Sequence, residues 1–302
     1  MAPAFYVAVA VFAYFYLKGI NWGELTRVNI NWWFMLAATA TSILVRFWFA
    51  EIWMLLLRRL GAKLDGQRLE LFVVYAKSWL GRYIPGGATW ILGKIYFATK
   101  LGISKAKLGI SSFLEGALQV IVVLITASAM LAFDPHVANL GRGWVFALLS
   151  AAVFGLISVY PPVFNRMISF GYAKLGRGNL DAEHLPSEAT VGLGIASFAL
   201  SSILSGLSFY FVALAVSPEL GLKDLLFVVG CSNLASALSM LAVFAPAGLG
   251  VREGVQLSML LLVMPAEAAL VATVLMRLWS ILMDAVFFFA TVLFQRIVRL
   301  KV

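Results

Sequence analysis

The chain has 302 residues, of which 62% are hydrophobic and only 12% charged, against about 25% charged in soluble domains. That balance excludes a water-soluble globular domain. A net charge of +9 would point a soluble protein toward nucleic acid. In a chain this apolar the excess lysine and arginine belongs to cytoplasmic loops facing anionic lipid heads, and no nucleic-acid partner is expected.

In chain order, the first segment, MAPAFYVAVAVFAYFYLKG, lacks a basic n-region and a cleavage site. It reads as an uncleaved span over 3–19. Further spans are expected over 31–57, 109–132, 143–162, 188–217 and 267–295, apolar runs of membrane-crossing length. Two more apolar stretches are broken in the middle: 70–98 at Pro85, Gly86 and Gly87, and 224–264 between Pro246 and Gly250. The polar stretch 165–188 is a loop between spans. The single cysteine, Cys231, lies in an apolar run and excludes an internal disulfide. The whole reads as one all-α integral membrane domain over 1–302.

The positive-inside rule orients it. Arg58, Arg59, Lys63 and Arg68 place loop 58–69 in the cytoplasm, and Lys94, Lys100, Lys105 and Lys107 place loop 94–107 there too. Stretch 70–98 then enters and leaves on one side. Its arms reach only about 20 Å each, short of a bilayer core of about 30 Å, so a re-entrant helical hairpin is expected. Arg166, Lys174 and Arg177 put loop 163–187 inside, and Arg296, Arg299 and Lys301 put the C-terminal tail inside. Stretch 224–264 becomes a second re-entrant hairpin from the opposite face. The expected architecture is six spans plus two opposed hairpins, with both termini cytoplasmic, an inverted arrangement like that of secondary transporters. Arm 224–244 is long enough to cross, so eight or more crossings is the alternative.

The breaks carry the candidate chemistry. In Arg82, Tyr83, Ile84, Pro85, Gly86 and Gly87, proline ends a helix and glycines permit unusual backbone. A second half-helix from Ala88 or Thr89 would aim its N-terminal amides at the break, an arrangement that favours anions. The structural alternative is a kink whose arginine snorkels to the cytoplasm. The second break repeats proline, glycines and arginine, with Gly250, Arg252, Glu253 and Gly254. Arg252 is the candidate phosphate ligand. Glu253 suits a proton, a cationic head group or another arginine, and a buried structural ion pair is the alternative. Arg277 and Asp284 lie seven apart in the last span, on one helix face that should look into the bundle. Pairing of Arg277 with Glu253, or with Glu115 of span 109–132, would neutralise the interior. Arg46 and Glu51, five apart, are poorly placed to pair with each other and serve a cavity or an interfacial end. Small residues in 188–217, including Gly192, Gly194, Ser205 and Gly206, predict close helix packing.

Catalysis finds little support. The two histidines, His136 and His184, fall in loops, and no HExxH, CxxC, Walker loop or GxSxG occurs. No catalytic residue, metal or cofactor is expected.

RYIPGGATW, then APAGLGVREG, then ATVLMRLWSILMDAVFFF together resemble the membrane region of lysylphosphatidylglycerol synthases, a group also described as flippase-like. The resemblance covers about 30 to 295. It implies a membrane part that flips an aminoacylated phospholipid in bifunctional relatives, and handling of polyprenyl-phosphate sugars and other envelope lipids in stand-alone ones. The chain ends soon after its last span, so no synthase domain and no tRNA-dependent activity is expected. Carried over by motif, Arg82, Pro85, Gly86, Gly87, Gly250, Arg252, Glu253, Gly254 and Arg277 become candidate substrate-site residues, with Tyr83 beside them and Glu115 and Asp284 as coupling or pairing groups.

The reading is a lipid flippase-like transporter of the cytoplasmic (inner) membrane, not an enzyme, whose partner is a membrane lipid with an anionic head group. One alternative is a lipid-binding scaffold that recruits an envelope glycosyltransferase. The other is an intramembrane lipid transferase. A homodimer is the default assembly.

Overall fold

A computed structural model describes residues 29–84, 89–132, 134–138, 141–174, 185–242 and 245–300. The expected span 3–19, the Pro85, Gly86 and Gly87 break itself, Arg177 and Lys301 lie outside the described residues. Helix α1 (Trp32–Arg59) starts at Asn31, whose side chain accepts the Trp33 N–H, an N-cap, and ends on Arg58 and Arg59, favourable at a C-terminus. Two short helices follow, α2 (Arg68–Trp79) and α3 (Thr89–Thr99), with a 3₁₀ turn over Leu80–Tyr83 after the first. Next come α4 (Lys105–Leu131), the single turn α5 (Pro135–Ala138), α6 (Arg142–Val159) and α7 (Pro161–Lys174). Then α8 (Glu188–Val216), α9 (Leu225–Leu241), α10 (Val251–Leu260) and α11 (Ala266–Leu300) complete the chain.

Five of the described helices are long and apolar enough to cross a membrane: α1, α4, α8, α9 with its lead-in turn (Leu222–Leu241), and α11. A sixth crossing is available if α6 and α7, bent by 71° at their junction, act as one. This is an all-α, multi-pass membrane protein. The proline pair Pro161 and Pro162 explains the bend, because proline starts a helix well and cannot continue one. By contrast α2, α3 and α10 have 12, 11 and 10 residues, at most about 18 Å each.

Packing follows the small residues. Helix α8 lies along α1 and also against α9. At Gly206 of α8 an added Cβ would meet Val229 Cγ1 at 2.4 Å, so glycine sets how closely α8 and α9 approach. One apolar cluster joins the second half of α1 with α2 and the first halves of α4 and α8. Another joins the first half of α1 with α9, α10 and the start of α11.

The two broken stretches sit at opposite ends of this bundle. Gln67 donates to the Leu101 carbonyl at 3.2 Å and Lys107 to the Gly61 carbonyl at 2.8 Å. The start of α2, the end of α3, the end of α1 and the start of α4 therefore share one end. At the other end, Tyr210 donates to the Gly221 carbonyl ahead of α9, and the Asn31 N–H reaches the Ala215 carbonyl. In the interior the turn over Leu80–Tyr83 touches the second break, the 3₁₀ turn over Pro246–Gly248.

Candidate functional site

Where the two turns meet, a cavity of about 600 Å3 opens. Arg46 comes from α1, Trp79 and Arg82 from the first hairpin, Gln119 from α4, Ser205 from α8, Ser236 from α9, Ala247 and Gly248 from the second turn, and Arg252 from α10. Among the described residues, three arginines line it and no carboxylate does. Its rim is apolar and includes the exposed Phe113 and Leu241. Non-helical backbone at this depth is admissible because it is packed in protein and faces a cavity.

The second turn is built locally. Gly248 has φ +69, and a Cβ there would meet Ser239 Cβ at 2.3 Å. Ala247 sits at φ 50, a left-handed conformation that costs a non-glycine residue about 1–2 kcal/mol. It is held there by Arg277, whose Nη1 donates to the Ala247 carbonyl at 3.0 Å. Arg277 also pairs with Glu253 at 3.2 Å. Glu253 accepts the Gly250 N–H at 2.7 Å, capping α10. Arg277 and Glu253 thus fix the turn, and the expected pairing of Arg277 is to Glu253, not Glu115.

The first turn is tied to α11 through Asp284, whose side chain is fully buried. Asp284 accepts from Arg46 Nε at 2.7 Å, from Arg82 Nη2 at 2.7 Å, from Trp79 Nε1 at 3.2 Å and from the Tyr83 hydroxyl. Arg46 spends its remaining donors on the carbonyls of Ser42 and Ser280. Arg82 stacks on Trp79, 4.6 Å from the ring centre, a cation–π contact. Its Nε is buried without a hydrogen-bond partner among the described residues. Glu51 pairs with Arg68 instead of Arg46.

Arg252 differs from the others. It lines the cavity and makes no hydrogen bond or ion pair with a described residue. The positive charges of Arg277 and Arg82 bear on it, offset in part by Glu253. Among the described residues, the cluster sets Arg46, Arg82, Arg252 and Arg277 against Asp284 and Glu253, two more positive than negative groups. Excess charge in a membrane interior is costly and calls for a counter-ion.

Gly254 is exposed, an added Cβ there would meet no described residue within 4 Å, and it is not part of the cavity lining. Gly250, at φ +82, serves as the N-cap of α10. Glu115 meets Lys94, both fully buried, and accepts from the Tyr75 hydroxyl at 2.9 Å. The Lys94 ammonium lies 4.2, 4.6 and 5.1 Å from the rings of Tyr75, Trp90 and Trp53. Lys94, expected in a cytoplasmic loop, is thus inside α3 and inside the core. Trp79, Gln119 and Ser236 of the cavity wall are marked neither by the break motifs nor by charge. A count of charges cannot find them, whereas a search for any polar group within an apolar run would have flagged Gln119.

A search of curated proteins finds no match to the chain. The family model described as lysylphosphatidylglycerol synthase TM region matches residues 3–287, nearly the whole chain. That family is a membrane domain of lipid-related proteins. With its apolar helices, its two broken stretches and this match, the chain belongs to the lysylphosphatidylglycerol synthase transmembrane-region family.

Proposed function

We propose that the protein is a flippase-like transporter that passes an anionic, phosphate-bearing lipid between leaflets of the cytoplasmic membrane. The observation that carries this reading is the cavity at the meeting of the two breaks, lined among the described residues by three arginines and no carboxylate. Its volume, about 600 Å3, suits a head group, since small-molecule sites span about 300–1,000 Å3. The apolar rim lets the acyl or prenyl chains stay in lipid while the head enters. In this reading Arg252 is the primary phosphate ligand, Arg82 assists, and Arg277 and Glu253 position the turn.

The same reading takes α2 and α3 as a re-entrant hairpin from the cytoplasm, since Arg58, Arg59, Lys63, Lys100, Lys105 and Lys107 gather at that end. The second hairpin enters from the other face, with α9 its longer arm.

The test is native mass spectrometry of gently purified wild type and Arg252→Ala, followed by a liposome flipping assay with labelled phosphatidylglycerol. A charge-assisted contact is worth about 1.5–3 kcal/mol, so the variant should retain and move anionic lipid at least ~10-fold less. Normal flipping by folded Arg252→Ala would sink the proposal. Retention of anionic lipid by the wild type with no flipping would favour the scaffold reading.

A further inference from the structure

Among the described residues, none of α6 or α7 lines the cavity, yet this helix pair ends beside its mouth. Helix α6 has 18 residues, about 27 Å, and so by itself nearly matches a bilayer core of about 30 Å. It runs antiparallel to α4. Near its end an added Cβ at Gly155 would meet Ile121 Cγ1 at 2.7 Å. Beyond the bend, the ring of Phe164 stacks on Phe113 with centroids 5.7 Å apart. Phe113 lies about 12 Å from the Lys105 end of α4. Helix α6 therefore crosses toward the end where Lys63, Lys100, Lys105 and Lys107 gather.

The 71° bend then turns α7 away from that crossing. For a span at the usual tilt of about 20°, α7 comes close to the membrane plane. Its side chains sort accordingly. Val163, Met167 and Phe170 fall on one face and are exposed, Met167 by 57% and Phe170 by 67%. Arg166, also exposed, flanks this stripe about 60° round the helix. Phe164 points into the bundle and is buried. Asn165 ties α7 to the segment leading into α8 by donating to the Pro186 carbonyl at 3.3 Å. The stripe continues the apolar surface of α6, where Phe154 and Ile157 are exposed, so one occupant, lipid, covers both. An apolar stripe flanked by arginine on a helix lying flat is the chemistry of an anionic lipid surface.

We propose that α7 is a membrane-surface helix that collects anionic lipid at the cavity mouth. Val163, Met167 and Phe170 sit at the head-group boundary, and Arg166 holds lipid phosphates near the Phe164–Phe113 stack. Phe113 belongs to both the stack and the cavity rim, so lipid gathered on α7 lies next to the opening. Surface binding by α7 stands on its own geometry; the collecting role rests on the lipid-site reading above.

The experiment uses the full chain with Cys231→Ala, single cysteines labelled with bimane, and vesicles of phosphatidylcholine and phosphatidylglycerol. Quenching by phosphatidylcholine brominated near the carbonyl end of its chains should be at least ~2-fold stronger at Met167→Cys and Phe170→Cys than at Lys63→Cys. Quenching no stronger than at Lys63→Cys overturns the surface helix and puts protein or water over the stripe. Strongest quenching by lipid brominated near the chain ends overturns it too, because α6 and α7 would then cross as one. Collection is read as the fraction of labelled phosphatidylglycerol that half-saturates flipping. Arg166→Gln should raise that fraction about 5-fold, the share of one basic side chain near an anionic surface, whereas Arg252→Ala should lower the maximal rate. A half-saturating fraction unmoved by Arg166→Gln overturns the collecting role. Flipping that is absent, or indifferent to Arg252→Ala, overturns the lipid-site reading and the collecting role with it, while quenching at Met167→Cys still decides the surface helix.

Discussion

At the scale of single residues, Asp284 is the group on which most depends. It is a buried carboxylate facing two guanidiniums, a phenol and an indole. Asp284→Asn leaves Arg46 and Arg82 as uncompensated buried charges, a change that typically costs about 3–5 kcal/mol. The expected result is a sharply lowered melting temperature in detergent, partly restored by Asp284→Glu; an unchanged melt would show the cluster to be hydrated. The Lys94–Glu115 pair makes the complementary case. Lys94→Met and Glu115→Leu each strand one charge, whereas the double variant strands none. Thermal unfolding should find the double variant less destabilised than the sum of the singles. The seven-residue spacing of Arg277 and Asp284 was legible, because a helix turns both onto one face. Lys94 was not, because a positive-inside count treats any lysine near an apolar run as a loop residue. The acid at Glu115 inside a span was the sign that a buried cation had to exist.

Among the elements, the breaks are where backbone choice decides geometry. Gly248→Ala adds a methyl against Ser239 Cβ at a left-handed φ; overpacking of this kind costs about 1–3 kcal/mol. Its neighbour should respond oppositely: Ala247→Gly relieves a left-handed alanine, a gain of about 1 kcal/mol. Differential scanning fluorimetry of the two variants should move in opposite directions, and equal shifts would refute the local account. Proline and glycine in the sequence locate this turn at Pro246 to Gly250. They do not reveal that Arg277, two helices further on, holds the Ala247 carbonyl, because that contact is made only by tertiary packing. The arms behave similarly. The shortness of α2 and α3 follows from counting residues between breaks, whereas the 20 residues of Leu222–Leu241 satisfy a crossing and a hairpin arm equally well by length alone.

For the whole molecule, the arrangement of ends makes a topological prediction. Cys231 is the one cysteine of the chain and is fully buried, so a Cys231→Ala background is suited to thiol labelling. Lys63→Cys and Lys100→Cys should react with an impermeant maleimide from the same side of a sealed vesicle, and Lys223→Cys from the other. Labelling of Lys63 and Lys100 from opposite sides would rule out the first hairpin. Composition was enough to establish a multi-pass membrane protein. The contact between the two turns was not readable, since it joins residues far apart in the chain. Both turns are nevertheless fastened to a single helix. Asp284 holds the first turn and Arg277 the second, two turns of α11 apart, about 10 Å. That common anchorage gears the tips together. A substitution that displaces α11 near Arg277 or Asp284 therefore bears on both turns at once, like a spindle that carries two pins.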